Sequence, residues 1–259
     1  MRRASLQHSR SVPRESFASQ ADAWHERVHA ALARHLPRAD ETPACLNAAL
    51  RRWVLDRAVR KHPILIFAVG RTVGLREQQI EVAACAVELL HLFVEAHRVL
   101  PALAADEQSR AAHRAPHDYD QAMLLLVGDS LPPLAFRLLC VDPGLALAPS
   151  VRLQLTAMLA AASGSRGRLG RYMPRAADES ADFSERACRA DYRTDVRLAV
   201  ACRARPPGRG VGALLAEFER ALALSWTEAY AVVARGGAQA ETLRHATRWL
   251  MEHDDEGEQ

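Results

Sequence analysis

The stretch LREQQIEVAACAVELLHLFVEAH, residues 75 to 97, does most to limit what this chain can fold into. It carries Ile80, Ala83, Ala84, Val87, Leu90 and Val94 and almost no fully polar face. A surface helix keeps one side for water, whereas a helix apolar nearly all round has to be enclosed by other elements. The fold is therefore predicted to have this segment at its centre. What encloses it is predicted to be helix as well. Ala, Leu and Arg dominate, β-branched runs are few and aromatic residues make up only 5% of the 259, a bias towards helix over strand. The expected fold class is all-α, and a 49% hydrophobic chain of this length can bury one large core or two small ones.

Helical periodicity starts near Ala21, with Trp24, Val28, Ala31 and Leu32 on one stripe, and ends near His35 before Pro37. A second helix is predicted from Ala44 to Val59, stopped by the restriction that Pro63 places on the residues before it. Residues 64–74, ILIFAVGRTVG, fit a buried helix in so helical a chain. Further helices are expected at 118–139, 150–162, 183–204, 211–234 and 240–252, with GSRGRLGRYMPRAADES and RARPPGRG as loops. Neither a repeat nor an interdomain linker is visible. The division expected is a flexible Arg- and Ser-rich tail at 1–20, one helical domain at 21–253 and an acidic tail at 254–259.

Charge and cysteine content narrow the function classes. The formal net charge is +3, and of the 34 basic residues Lys61 alone is lysine. The arginines are scattered among nearly as many acids, whereas electrostatic binding of nucleic acid needs clustered charge, so no nucleic-acid partner is expected. Cys45, Cys85, Cys140, Cys188 and Cys202 lie far apart and read as small core residues in a reducing compartment. No apolar run reaches the roughly 18 residues of a membrane span, and the opening residues lack the apolar region of a secretory signal. The expectation is a cytoplasmic protein without a membrane span.

Several motifs mimic chemistry. His25, Glu26 and His29 in WHERVH spell the H-E-x-x-H of zinc proteases and share a helical face. The helix also carries Trp24 and Val28 as its buried stripe, and no third ligand is evident. Glu88, His91 and Glu95 suggest half of a di-iron bundle, but no second E-x-x-H helix is present. Ser130 in VGDSL lacks the strand and G-x-S-x-G turn of a nucleophile elbow. GSRGRLGR lacks the strand and Lys-Ser or Lys-Thr of a phosphate loop.

From Cys85 to Leu139 the sequence resembles the trans-polyprenyl diphosphate synthases, in particular the farnesyl and geranylgeranyl diphosphate synthases. Those proteins carry A-x-E-x-x-H-x-x-S-L-I-H-D-D-L-P-x-M-D, then R-R-G, then A-x-L-x-G-D-x-L-x-x-x-A-F. Glu88, His91, His97, Leu100, Pro101 and Ala102 match, as do Arg110, Gly128, Asp129, Leu131, Ala135 and Phe136. Pro63 is in register with the family's G-G-K-R-x-R-P segment, and the resemblance extends over about Ala44 to Gly236. It implies an isoprenoid synthase-type helical bundle with residues 81–97 as a central helix facing residues 211–234.

The same resemblance implies a site that has lost its metal ligands. In the family, two aspartate-rich motifs hold magnesium ions that neutralise the diphosphate leaving group. Magnesium demands hard oxygen ligands in near-octahedral geometry. Here the first Asp-Asp pair is replaced by Arg98 and Val99, and the third aspartate by Ala104. The second motif reads Glu228, Ala229 and Val232, and the Gln and Asp of G-Q-x-x-D become Tyr172 and Arg175. Asp106 and Glu107 lie beyond the Pro101 corner and would have to reach back two turns. No metal, no cofactor and no catalytic residue is therefore expected, although magnesium serves active relatives. In the segment for isopentenyl diphosphate the Lys position is Val59 and the last Arg is His62. Arg60, His91, Arg98, Arg110, Arg193 and Thr194 remain as a vestigial diphosphate-binding set.

The implied function is a catalytically degenerate synthase homologue, a non-catalytic subunit or regulator in isoprenoid biosynthesis. An active but atypical prenyltransferase and an isoprenoid or lipid carrier are the alternatives. The implied partner is a second copy or an active synthase, docked through residues 118–139, where Leu125, Leu134 and Phe136 are apolar. Beyond the second motif only one further helix is expected, where family members continue through several.

Overall fold

The computed structural model describes residues 16–56, 59–100, 119–171, 181–203 and 205–254, with the backbone alone at 181–188 and 254. Its long helices are α1 (Phe17–His35), α2 (Ala44–Leu55), α3 (Lys61–Thr72), α4 (Glu77–Arg98), α5 (Gln121–Val141), α6 (Pro149–Ser163), α7 (Ala181–Ala201), α8 (Arg209–Leu222), α9 (Trp226–Arg235) and α10 (Glu241–Asp254). Short 3-10 turns and one helical turn, Arg168–Arg171, lie between them. There is no strand among the described residues, and the expected all-α architecture is the one observed.

Helix α4 occupies the centre, as its composition dictates: 16 of its 22 residues are buried. It packs most extensively on α5, then on α3, and also meets α1, α6 and α7. Along the α4–α5 seam Gly128 is the point of closest approach, since a Cβ there would lie 2.7 Å from the His97 ring. Only a residue without a side chain lets the two helices come this near. Trp53 of α2 donates from its indole to the Leu92 carbonyl at 3.2 Å, and Arg27 and Arg34 of α1 both reach Glu81. These bonds fix α1 and α2 on the central helix.

The ends of the helices follow local chemistry. Ser16 caps α1 by accepting from the Ser19 amide, and Asp120 caps α5 by accepting from Met123. Gly74 turns the chain between α3 and α4 at φ +74, a left-handed conformation that glycine adopts without steric cost. Two expectations about boundaries are corrected. Helix α2 ends at Leu55, and Pro63 opens α3 in place of closing α2. As the third residue of α3 it occupies the first turn, where its missing N–H leaves no helical bond unmade.

The segment 211–234 is two helices, α8 and α9, broken at 223–225. Ser225 accepts a hydrogen bond from the Glu228 amide at 3.0 Å, and Ser-Trp-Thr-Glu is the S-x-x-E pattern of a helix start. Nor does this segment lie directly on α4. It packs on α7 and α10, and α7 in turn packs on α3 and α4.

Two compositional expectations also change. Cys85 and Cys202 are buried as foreseen, their thiols pushed up in pKa by burial, but Cys45 and Cys140 are exposed. They sit at the first turn of α2 and the last turn of α5, outside the core, and the Cys188 side chain lies outside the described residues. Helix α5 is long and apolar enough to cross a membrane, contrary to the expectation that no segment is. It lies along α4 with Leu124, Val127, Leu131 and Leu138 buried on one face, while most of its apolar stretch is not buried.

Candidate functional site

Where α3, α4 and α7 meet, a cluster of polar side chains lies inside an otherwise apolar core. Arg60, just ahead of α3, is 2% exposed. It donates to Glu88 of α4 at 2.7 Å and to the Val54 carbonyl at 2.6 Å. His62, two residues on, lies 2.5 Å through Nδ1 from Asp195 of α7. Arg168, fully buried in the helical turn before α7, bonds the same Asp195 carboxylate and the Asp191 carbonyl, while Arg171 bonds the Asp191 carboxylate.

Aromatic rings complete the cluster. His91 of α4 lies 4.2 Å from His62 between ring centroids, Tyr192 of α7 stacks on His62 itself at 4.6 Å, and Trp226 of α9 meets Tyr192 edge-on at 4.9 Å. Four rings from four helices thus form a continuous column.

Burial sets the protonation states. His62 is driven down to about 3, by burial first and by the Arg168 charge second. His91 falls to about 4 through burial and the neighbouring His62. Asp195 rises to about 6 because burial outweighs the opposing pull of Arg168. At neutral pH His62 is uncharged, and its Nδ1–H donates to the Asp195 carboxylate.

Of the predicted binding residues, Arg60 and His91 are brought into this cluster. Arg98, at the end of α4, donates to Glu95 at 2.8 Å, and the Glu95 charge acts on both histidines. Arg193 faces Glu219 of α8 at 3.5 Å, and the Thr194 hydroxyl donates to the Ala190 carbonyl of its own helix. Arg110, with Ala104, Asp106, Glu107, Tyr172 and Arg175, lies outside the described residues. His62 was read from the sequence only as a lost arginine, yet it is the hub. Asp191 and Asp195, four apart on one helix, were the signal that could have located it.

Magnesium does not fit the residues at the two motif positions. The end of α4 offers the guanidinium of Arg98 and the isopropyl of Val99. On α9, Ala229 and Val232 are buried apolar groups and Glu228 points outward, exposed. Among the described residues no three His, Cys, Asp or Glu side chains are gathered as a metal site. His25 and His29 do share a face of α1, with ring centroids 6.4 Å apart.

No family model matches the chain. The farnesyl diphosphate synthase of Haemophilus influenzae is 32% identical to it over 125 residues, 48% of this chain and 41% of that protein. The Geobacillus stearothermophilus farnesyl diphosphate synthase is 32% identical over 140 residues, 54% and 47% respectively. The chain thus spans about half the length of the curated relatives it matches. In fold the likeness is broader. A geranyltransferase from Legionella pneumophila superposes with a TM-score of 0.77 over 93% of this chain and 98% of its own, at 17% identity. The geranyl diphosphate synthase small subunit of Antirrhinum majus does so with a TM-score of 0.64 over 91% and 93%, also at 17%. The chain is thus similar in sequence to farnesyl diphosphate synthases over about half of its length, and it shares the helical fold of the geranyltransferase over nine-tenths of it.

Proposed function

We propose that this chain is a non-catalytic, synthase-like subunit or regulator in isoprenoid biosynthesis. The observation that carries the reading is the state of its motif positions. Arg98 and Val99 stand at the end of α4, and buried Ala229 and Val232 on α9, where a metal-dependent synthase needs carboxylates. Ionising a carbon–diphosphate bond without cations to take up the charge has no evident electrostatic substitute. The basic residues kept from the family support the same reading. Arg60 is engaged with Glu88 inside the core and Arg98 with Glu95, so an incoming anion would have to displace a carboxylate.

The partner in this proposal is a second copy or an active polyprenyl diphosphate synthase, and α5 is the docking element. Leu125 and Leu126 are 43% and 52% exposed on it, while Leu134 and Phe136 are partly covered. The fold of the Antirrhinum majus small subunit is a precedent for this architecture serving as a subunit.

The test is an elongation assay with magnesium and isoprenoid diphosphates, run beside light scattering of the purified protein. No product is expected, and either a dimeric mass or a co-purifying synthase. Turnover that disappears on Glu228→Gln would establish the active, atypical prenyltransferase instead. A monomeric mass with no co-purifying synthase would remove the subunit reading.

A further inference from the structure

Helices α5 and α6 pack against each other, and their outward faces carry almost no charge. On α5 the exposed residues Ala122, Leu126, Asp129, Pro133, Arg137 and Cys140 follow one another three or four positions apart. That spacing puts them on one stripe, opposite the buried stripe of Leu124, Val127, Leu131 and Leu138. Leu125 and Val141 flank it, 43% and 65% exposed. On α6, Leu153 is 70% exposed, and Ala157, Ala160 and Ala161 are exposed beyond it. The chain as a whole is 25% charged, yet among the exposed residues of these two helices the charges are Asp129 and Arg137 alone.

Those two charges are opposite in sign and lie four positions before and four positions after Pro133. At about 1.5 Å per residue they stand about 12 Å apart along the helix, too far to pair within one chain. Asp129 meets His97 through one carboxylate oxygen at 3.4 Å, and its side chain is still 60% exposed. Two identical helices that meet antiparallel about a twofold axis bring each residue to the one equally distant on the other side of the centre. With Pro133 at the centre, Asp129 meets Arg137 of the second copy, and Arg137 meets the second copy's Asp129. The same register sets Leu126 against Cys140 and Leu125 against Val141, so the leucines meet apolar groups. Centring the pair on residue 129 or on residue 137 instead would put two like charges face to face, which disfavours those registers.

We infer that this chain forms an isologous dimer in which α5 lies antiparallel to α5 of a second copy, centred on Pro133 and aligned by two reciprocal Asp129–Arg137 ion pairs. The inference rests on the reading of α5 as the docking element and deepens it by choosing a second copy over another synthase. A face whose own charges complement each other about its midpoint is complete when it meets itself. The apolar side chains supply the attraction, and the ion pairs fix the register.

Sedimentation equilibrium of the full-length chain tests it, with circular dichroism as the check that each variant folds. The unsubstituted protein should be a dimer. Arg137→Asp and Asp129→Arg, each alone, should raise the dissociation constant about tenfold, because both ion pairs become like-charge contacts. An equimolar mixture of the two variants should recover the parent affinity as a mixed dimer, since each supplies the sign that the other lacks. Leu126→Cys reads the register independently: mild oxidation should join it to Cys140 of the second copy as a covalent dimer that the parent does not form. A parent dimer indifferent to Arg137→Asp, a mixture that recovers nothing, or a Leu126→Cys variant that does not cross-link would overturn the inference. A parent that is monomeric alone yet co-purifies with a synthase would overturn it too, while the subunit reading stands. A monomer that binds no synthase would remove both.

Discussion

Helix α4 has two seams that work by different physics. Against α5 it is almost wholly apolar: Leu124, Val127, Leu131 and Leu138 face it, and Gly128 admits the His97 ring. Against α3 and α7 it presents Glu88 and His91 to arginines, histidines and aspartates that lie in the core. Both seams are buried, but they respond differently to the same insult. An apolar contact loses its own area when trimmed, whereas half of a buried ion pair leaves the other half charged in a poor solvent. The contrast separates shape-limited stability from charge-limited stability within one helix.

The largest effect expected is on the polar side. Arg168→Leu removes the cation that Asp191 and Asp195 share, leaving Asp191 to Arg171 and the buried Asp195 carboxylate to uncharged His62, and should cost about 3–5 kcal/mol in urea denaturation. A loss below about 1 kcal/mol would show that the aspartates relax into neutral forms and that the two seams differ little.

The next effect is of pH. His62 and His91 titrate lower in the fold, at about 3 and about 4, so the stability they contribute is present above the ordinary histidine value near 6.5 and drains away as pH falls. Asp195 titrates higher, at about 6, so it opposes them between about 6 and 4. With two groups losing and one gaining, stability should fall by about 2–3 kcal/mol from pH 7 to pH 5. Denaturant midpoints at the two values measure it, and a flat profile would remove the electrostatic half of the comparison.

The smallest effect belongs to the apolar seam. Gly128→Ala puts a methyl group against the His97 ring and should cost about 1–3 kcal/mol by overpacking. The same loss at pH 7 and pH 5 is expected, and a loss that changes between them would mean that His97, not shape, governs the seam.

The two seams also differed in how far the sequence disclosed them. The apolar one repeats every three to four residues along α4 and α5, so periodicity located both helices within a few residues of their observed ends. The polar one has no period. His62 and Asp195 are 133 residues apart and Arg168 and Asp195 are 27 apart. The one local sign is the pair Asp191 and Asp195, four apart on a helix, and nothing local ties that pair to His62 or Arg168. Resemblance pointed to Arg60 and His91 because they stand at family motif positions, but it described His62 only as a departure. The break at Ser225 was legible in principle, in the S-x-x-E that starts α9, and was hidden by apolar residues that continue the helical stripe across it.

The column of rings has a consequence for how the chain assembles. Residues 62 and 91 belong to neighbouring helices that can meet early, through a short connection with modest loop-closure entropy. Residues 192 and 226 arrive from the last third of the polypeptide. During synthesis residues 62 and 91 are available long before 192 and 226, so the column can close only when nearly all of the chain has been made. Long-range contacts of this kind form late and slow the overall reaction. Until then α3 and α4 expose an unfinished face carrying two imidazoles and an unshared Glu88–Arg60 pair. The column is therefore complete only once α7 and α9 have docked.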